Sequence, residues 1–305
     1  MKKILSRLVT SQDGFAHFAP LIIIIIFMIV GVFFLVSSKA EQTNIIDPWD
    51  LGIQVKHQTS QPPTILQSSE EPSAGTASNS NRKEHLTTPN WAGVVASIGK
   101  YVKDARGEII VPQVKCKQAG RATTFWVGIG GYNGVSVQQT GFDVECDEYK
   151  GKIYAVYFAW WEVWSVKGDR QGEYRMSIRP GQHIAASVHN LNDSGNWYMQ
   201  LRNLTTGATA GKKINCPNCD IQAAEWVVEK MGSSKGGVKL AEFKSVTFKN
   251  LYLADDASKG KYVPLYKRPY HAMSLANPNG NQYYIKTKLP SGSKTKSFKS
   301  VYIKH

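Results

Sequence analysis

The sequence predicts an all-β domain that follows an apolar N-terminal segment and a polar linker. From Thr87 onward, short apolar runs alternate with clusters of Gly, Pro, Asn and Asp, a texture typical of a sandwich or barrel of short strands. Eight Trp and fourteen Tyr among 305 residues also favour strands. No segment after the N-terminal one keeps a 3.6-residue hydrophobic period over the length of a helix.

Residues 1–38 are predicted to form a transmembrane helix that acts as a membrane anchor or signal segment. Basic residues precede the uncharged run LIIIIIFMIVGVFFLV, residues 21–36. At about 1.5 Å per residue this run is about 24 Å long, close to the thickness of a bilayer core. The basic flank places the N-terminus inside and the domain outside. An uncleaved anchor and a signal cleaved near Ala40 both remain open, and either one exports the domain.

Residues 39–86 are predicted to be a disordered, flexible linker, with a removable pro-segment as the alternative. They are rich in Ser, Gln, Pro and Asn and poor in aromatic residues. Such a composition buries too little apolar surface to offset the entropy lost on ordering. The folded domain is therefore expected to span residues 87–305.

The charge is concentrated in that domain. Residues 1–86 contain seven basic and seven acidic residues, so the whole formal charge of +14 lies on residues 87–305. A basic surface favours acidic neighbours, here an anionic polymer of the cell envelope, and otherwise only keeps the domain soluble. We expect no nucleic-acid partner.

The four cysteines are expected to form disulfides, because an even number outside the cytoplasm is typical of oxidised pairs. The simplest pairing is Cys116 with Cys146 and Cys216 with Cys219. The CPNC stretch could instead be a redox motif, but no βαβ pattern surrounds it. The spacing does not form two CxxC knuckles, so we predict no zinc and no other metal or cofactor.

The run QAAEWVVEKM, residues 222–231, places carboxylates among core-forming residues. As a strand it puts Glu225 and Glu229 on one face, because side chains alternate along a strand. The opposite face is apolar and must be the core side: Ala224, Trp226 and Val228. Glu225 then lies where a sheet could line a groove.

The run KIYAVYFAWWEVWS, residues 152–165, has a similar pattern. Glu162 shares its face with Trp160 and Trp164. This carboxylate could be a strand-end residue or a satisfied ion pair. The alternative is a carboxylate that faces a cleft lined by aromatic side chains.

Several common catalytic patterns are absent from the sequence. It contains no GxSxG, no HExxH, and no Walker or dinucleotide glycine pattern. A Ser-His-Asp triad is not excluded, since its members can lie far apart, but nothing points to one; His183 and His189 merely flank a strand. Carboxylates, amides and water remain, which suit hydrolysis of glycosidic or peptide bonds.

Five short motifs resemble those of the glutamic peptidases, also called eqolisins or peptidase family G1. They occur in the family's order: NWAG (90–93), WVGIGG (126–131), QQTGFD (138–143), AWWEVW (159–164) and AEWVVE (224–229). The resemblance implies a concanavalin A-like β-sandwich of two bent antiparallel sheets. It also implies an endopeptidase that acts on polypeptides through a dyad of Gln139 and Glu225.

The resemblance also assigns supporting roles and shows departures. Trp91, Trp126 and Glu162 match family residues near the cleft. The simpler alternatives are core packing for the two tryptophans and a surface ion pair for Glu162. Gly130 stands where fungal members carry Asp, and Trp164 stands at a Tyr position. The basic charge also differs from the acidic fungal enzymes, so we expect a less acidic pH optimum.

Two other functions remain open. The same sandwich could be a non-catalytic, lectin-like module that binds carbohydrate or peptidoglycan, because aromatic side chains stack on sugars. A glycoside hydrolase that uses Glu162 and Glu225 is a third possibility.

Overall fold

The part of the chain that the computed structural model describes is built from strands. It comprises residues 45–48, 62–69, 82–132, 134–192, 195–232, 238–291, 294 and 296–303. All of them belong to the compact unit Thr43–His305. The predicted membrane segment, residues 1–38, lies outside the described residues. Within the described ranges, no helix is long and apolar enough to cross a bilayer.

The elements follow one another along the chain with short connections. The strands are β1 Ile45–Ile46, β2 Gln67–Ser69, β3 Arg82–Thr88, β4 Trp91–Ala96, β5 Val102–Ile110, β6 Val114–Lys115, β7 Arg121–Gly130, β8 Ser136–Tyr149, β9 Lys152–Ser165, β10 Arg170–Tyr174, β11 His183–Asn192, β12 Asn196–Asn203, β13 Thr209–Asn215, β14 Ala224–Glu229, β15 Lys239–Leu240, β16 Glu242–Phe243, β17 Ser245–Asp255, β18 Val263–Pro264, β19 Tyr270–Ala276, β20 Tyr283–Lys288 and β21 Phe298–Tyr302. Two short 3-10 helices, Asp256–Ser258 and Leu265–Lys267, flank β18.

The strands form one long curled sheet whose two halves pack face to face. The front sheet has the order β10-β9-β8-β7-β14-β4-β19-β3-β2. The back sheet has the order β20-β21-β17-β5-β11-β12-β13. Pairing of β19 with β20 joins the two halves. The prediction of an all-β fold is therefore confirmed.

Most neighbouring strands are antiparallel, as expected, and three described pairs are parallel. These are β1 with β9, β15 with β7 and β3 with β19. Each contains at least one strand at the start of the domain or in a short connection. The antiparallel ladder therefore carries the body of both sheets.

The core between the two sheets is apolar and aromatic. Phe125, Phe142 and Trp226 of the front sheet belong to one buried cluster with Ile184 and Trp197 of the back sheet. Ala224 and Val228 also belong to this cluster, which confirms that their face of β14 is the core side. The interleaved side chains exclude water and stabilise the sandwich.

The other face of the front sheet carries a second buried cluster. Trp91, Trp126, Trp160 and Trp164 belong to it, together with Val227 of β14. We expected this face of β14 to line a groove, but Glu225 and Glu229 are fully buried there. Large aromatic side chains pack around the two carboxylates and shield them from solvent.

The predicted linker, residues 39–86, contributes strands to the front sheet where it is described. β1 pairs with β9, β2 pairs with β3, and β3 begins at Arg82, ahead of the expected boundary at Thr87. The Pro62 carbonyl also accepts a hydrogen bond of 3.1 Å from Asn90 Nδ2. Backbone N–H and C=O groups make the strand pairings, so a segment of low apolar content can still add strands to a sheet.

Both predicted disulfides are formed. Cys116 is bonded to Cys146, 30 residues away, and Cys216 to Cys219, three residues away. The first bond links the end of β6 to β8. The second closes the loop before β14.

We expect the two disulfides to differ in their effect on stability, because a crosslink stabilises mainly by limiting the unfolded chain. Replacing Cys116 and Cys146 by Ala should lower the free energy of unfolding by about 3–4 kcal/mol. The Cys216–Cys219 bond closes a far shorter loop. The matched double Ala variant at these two positions should therefore lower the free energy of unfolding by less than about 2 kcal/mol. Urea denaturation of both variants measures the difference, and a larger loss in the Cys216/Cys219 variant would contradict the loop argument.

Candidate active site

The registers of three neighbouring strands place Gln139 and Glu225 in one row. Gly128 of β7 is the direct partner of Gln139 on β8 and of Glu225 on β14. Directly paired residues point to the same face of a sheet. The amide and the carboxyl group therefore project from one face, about 10 Å apart at the backbone, since strands are about 4.8 Å apart.

Gly128 carries no side chain between these two groups, and neighbouring side chains cover its Cα. A Cβ atom at this position would lie 2.8 Å from the Trp126 ring and 3.1 Å from the Val137 side chain. Any larger residue would collide with the aromatic cluster. The missing side chain at position 128 therefore makes room for the Trp126 ring and the Val137 side chain in the row between Gln139 and Glu225.

Glu225 is held in a desolvated position by one backbone donor. Its Oε1 accepts a hydrogen bond of 3.1 Å from the Tyr132 N–H. Its Oε2 is buried and has no hydrogen-bond partner among the described residues. Burial raises the pKa of Glu225 well above its ordinary value; the Tyr132 N–H opposes part of the rise, and the nearby Asp220 carboxylate adds to it.

Glu162 continues the same row on the far side of Gln139. It is the direct partner of Gln139 across β8 and β9, and its Oε2 accepts a hydrogen bond of 2.6 Å from Gln139 Nε2. The Gln139 Oε1 has no partner among the described residues. A primary amide has two N–H donors, so one remains after the bond to Glu162.

A second row of carboxylates lies beside the first. Asp143 and Glu229 both flank Thr124 of β7, as Gln139 and Glu225 flank Gly128. Each carboxylate accepts a hydrogen bond from an indole: Asp143 from Trp160, at 2.7 Å, and Glu229 from Trp126, at 2.8 Å. These bonds supply partners that buried carboxylates require, and they fix both indole rings.

The tryptophans named by the sequence are part of the buried cluster. Trp91 and Trp126 are fully buried and meet edge to face, with ring centroids 4.9 Å apart. Trp164 is 8% exposed and belongs to the same cluster. All three lie near the dyad row, and their contacts in this structure are those of packed core residues.

Gly130 occupies a position that excludes a side chain. Its φ of 92° lies in the left-handed region, and a Cβ would come within 2.5 Å of the Ser136 carbonyl oxygen. The same atom would lie 2.8 Å from the Asp220 carbonyl oxygen. The chain around Asp220 thus fills the space that an Asp at position 130 would need.

Three contributors to the site were not predicted from the sequence. Gly128, the Tyr132 N–H and Asp220 depend on which distant strands and loops become neighbours. Glu229 and Asp143 carried a usable signal, because each follows a dyad residue by four positions and therefore shares its strand face.

A family model for the peptidase A4 family matches residues 89–291. The chain belongs to the peptidase A4 family. This membership confirms the resemblance to the glutamic peptidases and the prediction that the chain is of a peptide-bond hydrolase family. The match covers β4 to β20, and so includes both members of the proposed dyad.

One curated protein and two solved structures are similar to this chain. Aspergillopepsin-2 of Aspergillus niger is 28% identical over 198 residues, 57% of this chain and 66% of the relative, slightly less than two thirds of its length. A scytalido-glutamic peptidase bound to a peptide-based transition state analog matches with a TM-score of 0.57 and 24% identity over 70% of this chain and 98% of that one. The eqolisin SCP-B, with the tripeptide Ala-Ile-His, gives 0.54 and 23% over the same shares. The two structures support the predicted β-sandwich fold.

Replacing Glu225 by Gln should stabilise the fold at neutral pH. A group with a raised pKa in the folded state favours folding at pH values below its unfolded pKa and loses that contribution as the pH rises through the folded pKa. A neutral amide does not lose it, and each unit of raised pKa is worth about 1.4 kcal/mol. Thermal or urea unfolding should therefore show a gain at pH 8 that shrinks towards pH 4.

The matched control is Glu148→Gln, because Glu148 is an exposed residue of β8. It should show no comparable gain at pH 8. An equal gain at pH 4 and pH 8 in Glu225→Gln would show that the buried charge is not the cause.

Proposed function

We propose that the chain is an endopeptidase that hydrolyses peptide bonds in unfolded polypeptides, with Gln139 and Glu225 as its dyad. The observation that carries the proposal is the row in which both residues flank Gly128 on one sheet face. A reacting carbonyl and a water need a gap between a proton acceptor and an oxyanion donor. Family membership supports the same reaction class.

Glu225 is proposed to act first as a general base and then as a general acid. Its carboxylate takes a proton from a water, and the water oxygen attacks the scissile carbonyl carbon. Protonated Glu225 then gives its proton to the leaving amine as the C–N bond breaks. A raised pKa suits both steps, because it makes the carboxylate more basic and keeps a transferable proton on the acid form.

Gln139 is proposed to stabilise the oxyanion that forms on the attacked carbonyl. Its amide is oriented by the bond to Glu162, which leaves the second N–H for the developing negative charge. One such donor is worth roughly 3 kcal/mol in the transition state. Glu162 is therefore proposed to be a positioning residue that acts through Gln139. No step of this scheme requires a metal or other cofactor.

The site is closed in this structure, since Gln139 and Glu225 are both fully buried. A peptide must displace part of the surrounding chain before it reaches them. The Pro62 carbonyl is bonded to Asn90, which precedes Trp91 of the aromatic cluster, and the Pro62 ring lies next to Gly134 in the loop that follows Tyr132. This position supports a pro-segment role for the described part of residues 39–86 better than that of a flexible linker.

We also propose that the domain acts outside the cytoplasm. The two disulfides support an oxidising compartment. In this proposal, residues 1–38 either retain the protein as a membrane anchor or are cleaved, which releases it as a secreted protein. The proposal also includes attraction of the basic domain to an anionic polymer of the cell envelope.

The dyad is tested by proteolysis of a denatured protein by the full chain. Glu225→Gln should lose activity to background, and Gln139→Ala should lose at least about 100-fold in kcat, because an oxyanion donor contributes about that much. Glu148→Gln is the surface control and should remain active. Chelators and reagents for serine or cysteine nucleophiles should leave the proteolysis intact. Full activity in both dyad variants would defeat the proposal.

The pH dependence provides an independent test. A general base works only when it is deprotonated, so the raised pKa of Glu225 should move the acidic limb of kcat/KM above the ordinary Glu value of about 4.3. We expect an optimum less acidic than about pH 3, to be measured with one denatured substrate across pH 2–8. A maximum below about pH 3 would contradict this assignment.

A further inference from the structure

Three polar side chains on the outer face of the back sheet form a relay that the proposed peptidase reaction does not use. Asp104 of β5 is the direct partner of His189 on β11. Ser187 precedes His189 by two positions, so both project from the same face of the strand. Asp104 Oδ1 contacts His189 Nδ1, and His189 Nε2 lies 2.9 Å from Ser187 Oγ.

The contact with Asp104 determines which nitrogen of His189 carries the proton. A carboxylate only accepts hydrogen bonds, so Nδ1 is the protonated nitrogen of the neutral ring. The Tyr262 hydroxyl oxygen, 3.4 Å from the same nitrogen, is compatible with this tautomer. Nε2 is then an acceptor, and the Ser187 hydroxyl donates to it. This is the arrangement in which a histidine can remove the proton of a serine nucleophile.

Ser187 lies in a groove with hydrogen-bond donors on either side. The groove has a volume of about 580 Å³, and its lining includes Ser187, His189, Arg106, Gln200 and Arg202. Arg106 and Gln200 are the direct strand partners of Ser187 on its two sides. Backbone N–H groups of a central strand are taken by the ladder, so these side chains are the available donors for an oxyanion.

Both flanking donors are held in place by tyrosines. The Arg106 guanidinium lies 3.7 Å from the ring centroid of Tyr262. Gln200 Nε2 donates to the Tyr198 hydroxyl at 3.0 Å, which uses one of its two N–H groups. The groove therefore presents donors that need little reorganisation.

The charges in the groove favour an anionic ligand. Glu108 is paired with Lys249, at 3.4 Å, and Asp104 is in contact with His189. The guanidinium groups of Arg106 and Arg202 remain as the positive charges of the lining. Arg matches the geometry of a carboxylate well.

We infer that Ser187, His189 and Asp104 form a second catalytic site, a serine-centred esterase for small esters that carry a negative charge. Ser187 Oγ attacks the ester carbonyl carbon while its proton passes to His189 Nε2. The tetrahedral intermediate collapses, the bond to the alkoxy oxygen breaks, and His189 protonates the leaving alcohol. Water, deprotonated by His189, then cleaves the acyl-serine ester and restores Ser187. The sandwich core separates this groove from the Gln139 and Glu225 row.

Reaction of the full chain with a fluorophosphonate tests the nucleophile, because Ser187 Oγ would displace fluoride at phosphorus. Mass spectrometry should find one adduct, on Ser187. It should be absent in Ser187→Ala and at least about 100-fold slower to form in His189→Gln, since a general base contributes about 10²–10⁴-fold. Ser177→Ala, at an exposed serine, and Glu225→Gln should label like the parent chain.

Asp104→Asn tests the relay without removing the imidazole, and thermal unfolding of each variant checks the fold. Asp104→Asn should slow labelling. No adduct on Ser187 in the parent chain, or equal labelling rates in folded His189→Gln or Asp104→Asn, would overturn the assignment.

Ester turnover tests the substrate class. The p-nitrophenyl monoester of succinic acid should be cleaved faster than p-nitrophenyl acetate, and Arg202→Gln should reduce the preference, with Arg106 left as the other positive charge of the lining. Labelling without turnover of either ester would overturn the esterase, and a preference unchanged in Arg202→Gln would overturn the anionic substrate. Proteolysis by Ser187→Ala or by the labelled chain should be unchanged, so the two proposed activities fail or succeed separately.

Discussion

Strand register holds the proposed active site together. Gln139 and Glu225 belong to two strands that pair with β7 on its opposite sides, and each is placed by its own pairing with Gly128. A slip of one residue in either ladder would turn one of these side chains to the opposite face of the sheet. The apolar residues that alternate with them resist such a slip, because they would have to leave the core between the sheets. Packing of the core between the sheets therefore fixes which side chains project from the outer face of the front sheet.

Several carboxyl side chains are fully buried on that face. Asp143 and Glu229 accept hydrogen bonds from Trp160 and Trp126, so their oxygens have protein donors in place of water. Glu225 has a single backbone donor and an oxygen without a described partner. Asp143 and Glu229 thus stabilise the aromatic cluster, whereas burial raises the pKa of Glu225 well above its ordinary value. A buried carboxylate with so few donors lowers the stability of the fold when it is ionised.

The sequence was informative wherever the structure is local. Alternation along residues 224–229 predicted which side chains enter the core, and the family motifs named Gln139, Glu225 and Glu162 before any geometry was known. Pairing between distant strands was not predictable, because alternation fixes the face of a residue but not its neighbour on the next strand. Gly128, Asp220 and the Asp104–His189 contact all depend on such pairings. The closed state of the site depends on packing density, which composition does not reveal.

The hydrogen bond from the Tyr132 N–H to Glu225 comes from the main chain. Replacing Tyr132 by Ala would keep this backbone donor and would measure only the contribution of the Tyr132 ring. Proline is the one natural residue that deletes the N–H. The effect of this donor on the pKa of Glu225 therefore depends on the backbone path of the loop after β7, and it can persist in relatives that carry a different side chain at this position.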